Sequence, residues 1–207
     1  MFKNNGKKYA LLIGNTYNNT LTSCKKDIYI LEKILKSENY TTRIVCDCYP
    51  EKEITKFIQN IKLEKEDLLF IHFSGHGKLY GRKINELVRT KKDGKVRLYS
   101  SWVNPDNTLF CSCDMKKILS CINIKKIIII SDCCHSETFG DYDGTSEFLF
   151  IGTTNISGIA RSYPQDLGAI AYIFNHFFLN NIEINLHNIK NHKILPISFI
   201  IKSKNGK

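Results

Sequence analysis

No stretch of this 207-residue chain approaches the roughly 20 consecutive apolar residues that a bilayer-spanning helix needs, so such a helix is excluded. The opening MFKNNGKKYALLIG turns polar again at Asn15 and does not read as a secretion signal, so a cytoplasmic location is expected. Acidic residues are scarce: 20 Asp and Glu stand against 30 Lys and Arg, a net charge of +10. Such a balance suits nucleic acid or an acidic membrane surface. Yet the lysines are spread along the chain. The most basic segment, Lys78–Arg97, has no helix-turn-helix, zinc finger or stacked-aromatic motif beside it. It reads as a solvated loop or hairpin, and neither nucleic acid nor membrane is expected as a partner. Cys-x2-Cys is also absent. The two Cys-x-Cys pairs, Cys46/Cys48 and Cys111/Cys113, are too tightly spaced for the usual zinc site. The eight cysteines read as free thiols in a reducing compartment. With no internal repeat, low-complexity segment or linker, one domain over 1–207 is expected.

What is present alternates strand and helix. Apolar runs at 7–14, 41–47, 66–77, 125–132 and 147–154 read as strands. Apolar stripes at helical spacing fill 22–38, 50–64, 113–122 and 166–180, with Pro50 suited to a helix start. A last strand is expected over 194–201, at a sheet edge because of Pro196. Unbroken apolar strands alternating with helices argue an α/β domain whose mainly parallel sheet is covered on both faces. The segment from Lys78 to Phe110 is long and poorly patterned, as functional loops often are.

In such sheets, sites form beyond the carboxyl ends of the strands. There the first strand delivers Asn15, then Cys24 and Asp27. The third delivers His72, Ser74, Gly75, His76 and Gly77, and the fourth Asp132, Cys133, Cys134, His135 and Ser136. Cysteine and histidine from separate strand ends are the parts of a nucleophilic dyad, since the thiolate attacks and imidazole moves the proton. The glycines flanking His76 free the backbone and let an N–H approach a substrate oxygen. Alone, Asp27 reads as a first-turn helix acid and Asp132 as a turn residue.

FIHFSGHG followed by IIISDCCHS resembles the metacaspases, in the caspase-like clan of cysteine peptidases. LTSCKKDIYIL and DLGAIAYIF resemble further segments of that family, so the similarity covers nearly the whole chain. The resemblance implies a caspase-like three-layer sandwich: a sheet of about six strands, mainly parallel, with helices on both faces. It implies a cysteine endopeptidase cutting protein or peptide substrates after Arg or Lys through an acyl-enzyme. His76 would be the general base and acid, Cys134 the nucleophile, and Cys133 a bystander. The backbone N–H groups of Gly77 and Cys134 would take the oxyanion. Cys24, Asp27, Ser74 and Asp132 would line the pocket for the P1 cation, where carboxylates are needed. His72 would end its strand structurally.

The chemistry requires no cofactor. The resemblance also brings calcium into question, with Asp141 and Asp114 as its ligands and Asp106 as a further contributor. The second acid of the usual pair is missing, the loop after His76–Gly77 is basic, and Tyr99–Ser100 stand where acids are expected. These departures weigh against a complete calcium site. Glu137 replaces the glycine of the family pattern. Family members cleave themselves at basic loop residues, and Lys78–Arg97 offers candidates. A monomer is expected. The competing reading is a catalytically degenerate caspase-like module that binds a host peptidase or adaptor.

Overall fold

A computed structural model describes residues 6–83, 96–155, 157–160, 166–180, 182–191 and 200–204. The main sheet has six strands. β1 (Lys8–Gly14), β2 (Tyr40–Cys46), β3 (Leu68–Ser74), β7 (Lys126–Asp132) and β8 (Glu147–Gly152) run parallel, in the order β2–β1–β3–β7–β8. β9 (Ile200–Lys204) closes the edge antiparallel to β8. Helix α1 (Ser23–Ser37) connects β1 to β2, and α2 (Pro50–Ile61) connects β2 to β3. The chain therefore steps outward to β2 and returns across β1 to β3. The order reverses between β1 and β3, where sites open in such sheets.

The reason for the unbroken apolar runs is two-sided burial. Ala10, Leu12, Phe70, Ile128 and Ile130 face α1 and α4 (Ala169–Leu179), against Leu31 and Phe174. Leu11, Ile13, Ile71, Ile127 and Ile129 face α2 and α3 (Ser112–Ser120), against Phe57 and Met115. Ile127 to Ile130 are fully buried, and each contributes about 1.5–3 kcal/mol by leaving water. A charge at any of them would lie buried without a partner.

Two expectations are corrected and a third lies partly outside the described residues. Helix α2 ends at Ile61, not at 64, because Lys62 adopts the left-handed conformation (φ 45°) and Asp67 takes up the N–H of Glu64. The last described strand is Ile200–Lys204, at the sheet edge as expected and reaching past 201; residues 194–199 of the expected strand, Pro196 among them, lie outside the described residues. The segment 78–110 is not a bare loop. β4 (Gly77–Lys83), β5 (Val96–Val103) and β6 (Leu109–Cys111) form an antiparallel three-stranded sheet, so the hairpin reading of its basic part holds.

Trp102 fixes that small sheet to the main one. Its ring stacks between Phe73 and Phe139, with centroids 4.5 Å from each, and its indole N–H donates to Ser131 Oγ (2.8 Å). Apolar burial and one satisfied polar atom thus bind β5 to β3, to β7, and to the short 3-10 helix Glu137–Gly140 that follows Cys134. A short helix α5 (Leu186–Lys190) lies between α4 and β9.

Candidate active site

Strands β1, β3 and β7 end level: Gly14 pairs with Ser74, and Ser74 with Asp132. Whatever follows each strand is therefore delivered to one place. His76–Gly77 leave β3 directly for β4, and Cys133–Cys134 leave β7. The two segments touch through their backbones. A side chain on Gly77 would collide with the Cys134 carbonyl oxygen and would come within 2.9 Å of Cys133 Sγ. At Gly75 it would meet the ring of Phe73 and the hydroxyl of Tyr17. Among the described residues no glycine has a positive φ, so these two are required for close approach rather than for backbone freedom.

Tyr17 organises the histidine side. Its hydroxyl donates to Val103 O (2.7 Å) and accepts the His76 N–H (3.0 Å), while its ring lies 4.5 Å from the imidazole. Val103 N–H in turn donates to His76 O (3.0 Å). His76 thus projects from a backbone held on both sides, and its side chain is exposed. Partial burial, then the neighbouring Lys78, lowers its pKa below the ordinary histidine value. It is neutral at physiological pH, the form that accepts a proton. His72 differs in every respect. It lies within β3 rather than at its end, is fully buried, and burial lowers its pKa to about 3.

The two adjacent cysteines also separate. Cys133 is buried in the core beside Ser131 Oγ (3.3 Å), and burial pushes its thiol far above the usual range. Cys134 is half-exposed, and its sulfur accepts the Ala160 N–H (3.2 Å). The turn that aims it is fixed by His135, in the left-handed conformation (φ 54°), whose N–H donates to Gly158 O. Ser136 ties the turn to Thr154 by a backbone N–H and a hydroxyl bond. Among the described residues, no hydrogen bond joins His76 to Cys134. Unliganded sites often show such pairs apart.

Cys24, Asp27, Ser74 and Asp132 come together in one buried cluster. Ser74 Oγ donates to Asp27 Oδ2 (2.5 Å), and Cys24 is buried on the same helix as Asp27. The head of α4 supplies the remaining donors: Gly168 N–H to Asp27 Oδ1 (2.8 Å) and Ile170 N–H to Asp132 Oδ2 (3.1 Å). Gly168 sits between the carboxylates, and any side chain there would strike both. Asp27 lies beyond the first turn of α1, so it does not serve that helix's dipole; both acids face the positive end of α4 instead. Burial, then the charge of Asp27, pushes Asp132 up to about 8; burial pushes Asp27 up to about 6. Near neutrality the pair holds about one proton between them. Burial pushes the Cys24 thiol up to about 12.

The expected calcium ligands do not converge. Asp141 Oδ1 is held by Lys202 Nζ (2.7 Å), which also stands 3.7 Å from Glu137. Asp114 pairs with Lys117 (2.8 Å), and Asp106 accepts from Thr108 within its own turn and from the distant Tyr49 hydroxyl (3.0 Å). The 2.7 Å contact puts an ammonium where a cation would have to bind Asp141. These residues do not fit a calcium ion. The one group of three metal-capable side chains among the described residues is Cys111, Cys113 and Asp114. There the expectation of free thiols fails, because Cys111 and Cys113 form a disulfide. The turn from β6 into α3 brings their Cα atoms to 5.3 Å, inside the bonding range.

Sequence reasoning missed Tyr17, Trp102 and Lys202. Tyr17 stands in a polar Asn/Thr-rich loop with no periodicity, and Lys202 is one lysine among many. Only Trp102, the single tryptophan, carried a signal.

Comparison with known proteins agrees with this fold. No curated protein matches the chain by sequence. Its fold is similar to that of protein GSU0716 from Geobacter sulfurreducens, with TM-score 0.75 and 13% identity over 98% of this chain and 95% of that one. It is similar to caspase-1 from Spodoptera frugiperda, with TM-score 0.60 and 13% identity over 97% and 87%. The Drosophila initiator caspase Dronc gives TM-score 0.60 and 11% identity over 96% and 79%. The family model for the caspase domain matches residues 7–193, and with it strands β1 to β8, the level strand ends and both cysteine- and histidine-bearing turns: the chain belongs to the caspase domain family of cysteine peptidases.

Proposed function

We propose that this protein is a cysteine endopeptidase that cleaves after Arg or Lys, with Cys134 as nucleophile and His76 as general base and acid. Cys134 Sγ attacks the scissile carbonyl carbon as His76 removes the thiol proton. The oxyanion is received by the N–H groups of Gly77 and Cys134. His76 returns the proton to the leaving amine, and water, deprotonated by His76, then hydrolyses the thioester. No step needs a cofactor. Substrates are proteins or peptides; no nucleic acid or membrane is needed. The enzyme acts as a monomer, and self-cleavage at basic loop residues fits the same specificity.

The observation that carries the reading is the buried Asp27–Asp132 pair beside these two turns, which no described ammonium or guanidinium neutralises. In a chain of net charge +10, this is a local reversal of sign that a P1 cation satisfies. The test is hydrolysis of a fluorogenic peptide with P1 Arg by the protein and by Cys134→Ala. Turnover is expected from the first and not from the second; equal turnover sinks the assignment.

One observation favours the non-catalytic module: the Ala160 N–H occupies the Cys134 sulfur. An arginyl chloromethylketone separates the two readings. The enzyme is labelled at Cys134; a binding module is not.

A further inference from the structure

The disulfide between Cys111 and Cys113 encloses a single residue, Ser112. Closing so short a loop removes little chain entropy, so stapling the fold is a poor account of it. Its position is more informative. Cys111 pairs with Ser101 on β5, the strand whose Val103 holds His76. Ser112 is buried, and its hydroxyl shares a hydrogen bond with Thr138 Oγ1 (2.8 Å), four residues after Cys134. Thr138 is bonded at the same time to Ser100: it donates its N–H to Ser100 Oγ (2.9 Å), and its Oγ1 accepts the Ser100 N–H (2.6 Å). The residue inside the disulfide ring thus fastens the loop that carries Cys134. A cavity of about 500 Å³, lined by Tyr80, Leu109, Cys111, Cys113, Asp114 and Lys117, opens against the same disulfide. It has room for a small molecule, with one ammonium and one carboxylate at its wall.

We propose that Cys111 and Cys113 form a reversible thiol–disulfide site for low-molecular-weight thiols, and that its state sets, through Ser112, the exposure of the Cys134 loop. Exchange begins when a small thiolate enters the cavity and attacks Cys113 Sγ, which is half-buried where Cys111 is buried. The sulfur–sulfur bond breaks and a mixed disulfide forms on Cys113. Cys111 leaves as thiolate, takes up the proton lost by the attacking thiol, and has Asp114 Oδ2 already 3.1 Å away to accept a hydrogen bond. A second small thiol attacks the outer sulfur of the mixed disulfide. It releases the Cys113 thiol and a symmetrical small disulfide. The protein disulfide gains two electrons and two protons; the two small thiols lose them. In the dithiol form the ring around Ser112 opens, and the Ser112–Thr138 bond loses its rigid base.

The test needs no peptidase activity. The full chain is equilibrated in glutathione buffers, one rich in the thiol and one in the disulfide. It is then alkylated with iodoacetamide, and the peptides are weighed. In the disulfide-rich buffer Cys111 and Cys113 stay unlabelled and joined; in the thiol-rich buffer both are labelled. Cys134 is alkylated about threefold faster in the thiol-rich buffer, as local opening of its loop requires. Free glutathione is removed first and rates are read only for thiols not held as mixed disulfides; on that basis exposed Cys121 keeps the same rate in both and serves as reference. Ser112→Ala keeps the exchange at Cys111 and Cys113 but gives the faster Cys134 rate in both buffers. Full labelling of Cys111 and Cys113 in the disulfide-rich buffer overturns the proposal. So does a Cys134 rate that ignores the buffer.

Discussion

Two acidic sites flank Cys134, and their partners differ in kind. On the amino side, Asp27 and Asp132 are buried and meet only neutral donors: the Ser74 hydroxyl and the N–H groups that open α4. On the carboxyl side, Glu137 and Asp141 are half-exposed and share the ammonium of Lys202. The first site keeps its negative charge in a largely buried place, with no cation of the described residues bound to it. The second already holds a cation that the chain itself supplies. A carboxylate pair therefore signals a binding site for a cation only when the fold has not supplied one. Proximity to the nucleophile does not distinguish the two; the partner atoms do.

The largest expected effect breaks the first site. Replacing both acids, Asp27→Asn with Asp132→Asn, should lower kcat/KM for a P1-Arg peptide by about 100-fold, the scale of removing the one buried charge that the pair carries near neutrality. Hydrolysis of a peptide with a neutral P1 residue should change far less, and an equal loss on both would remove the pocket assignment. A smaller effect follows from pH. Both acids sit above the unfolded-state value of 3.8, at about 6 and about 8. Their contribution to stability is fully present below pH 4 and is lost as pH rises through those values. The melting temperature should therefore fall by on the order of 5 °C between pH 5 and pH 9, and Asp132→Asn should flatten that slope. Selectivity for a P1 cation moves the other way and rises over the same window, as the pair ionises.

The second site predicts less. Lys202→Met should lower the melting temperature by about 2–4 °C, the value of a partly exposed ion pair. It should also create a melting temperature that calcium raises, because Glu137 and Asp141 lose their resident cation. The smallest effect is expected in the unaltered protein: calcium or a chelator should change peptide turnover by less than about twofold. A large calcium activation would mean that the Lys202 contact opens in solution.

The legible part of this molecule was its main sheet. Ile127–Ile130 or Leu68–Phe73 read as strands because two-sided burial leaves no polar positions, and such strands put His76 and Cys134 at their ends. The distinction between Cys133 and Cys134 is read from the motif; in the fold the first is buried and the second half-exposed. The small sheet was poorly legible because its order comes from elsewhere. β5 is anchored by Trp102 stacking on Phe73 and Phe139, residues distant in sequence. The Lys202–Asp141 pair is likewise a contact across 61 positions that no local pattern announces. The Cys-x-Cys pairs show the same limit within three residues. Cys46 and Cys48 remain free at the end of β2, whereas Cys111 and Cys113 bond where a strand turns into a helix. Identical spacing gave two outcomes because backbone path, not spacing, sets the distance.

The level ends of β1, β3 and β7 carry a further consequence. These strands have seven residues each, and their first members pair just as their last do: Lys8 with Leu68, and Leu68 with Lys126. They act as rulers of one length. Deleting one residue from β3 would draw His76 back by about 3.3 Å and turn every side chain beyond the gap to the opposite face. Connections can lengthen or shorten without that penalty. Variation in chain length should therefore accumulate between these three strands and never inside them.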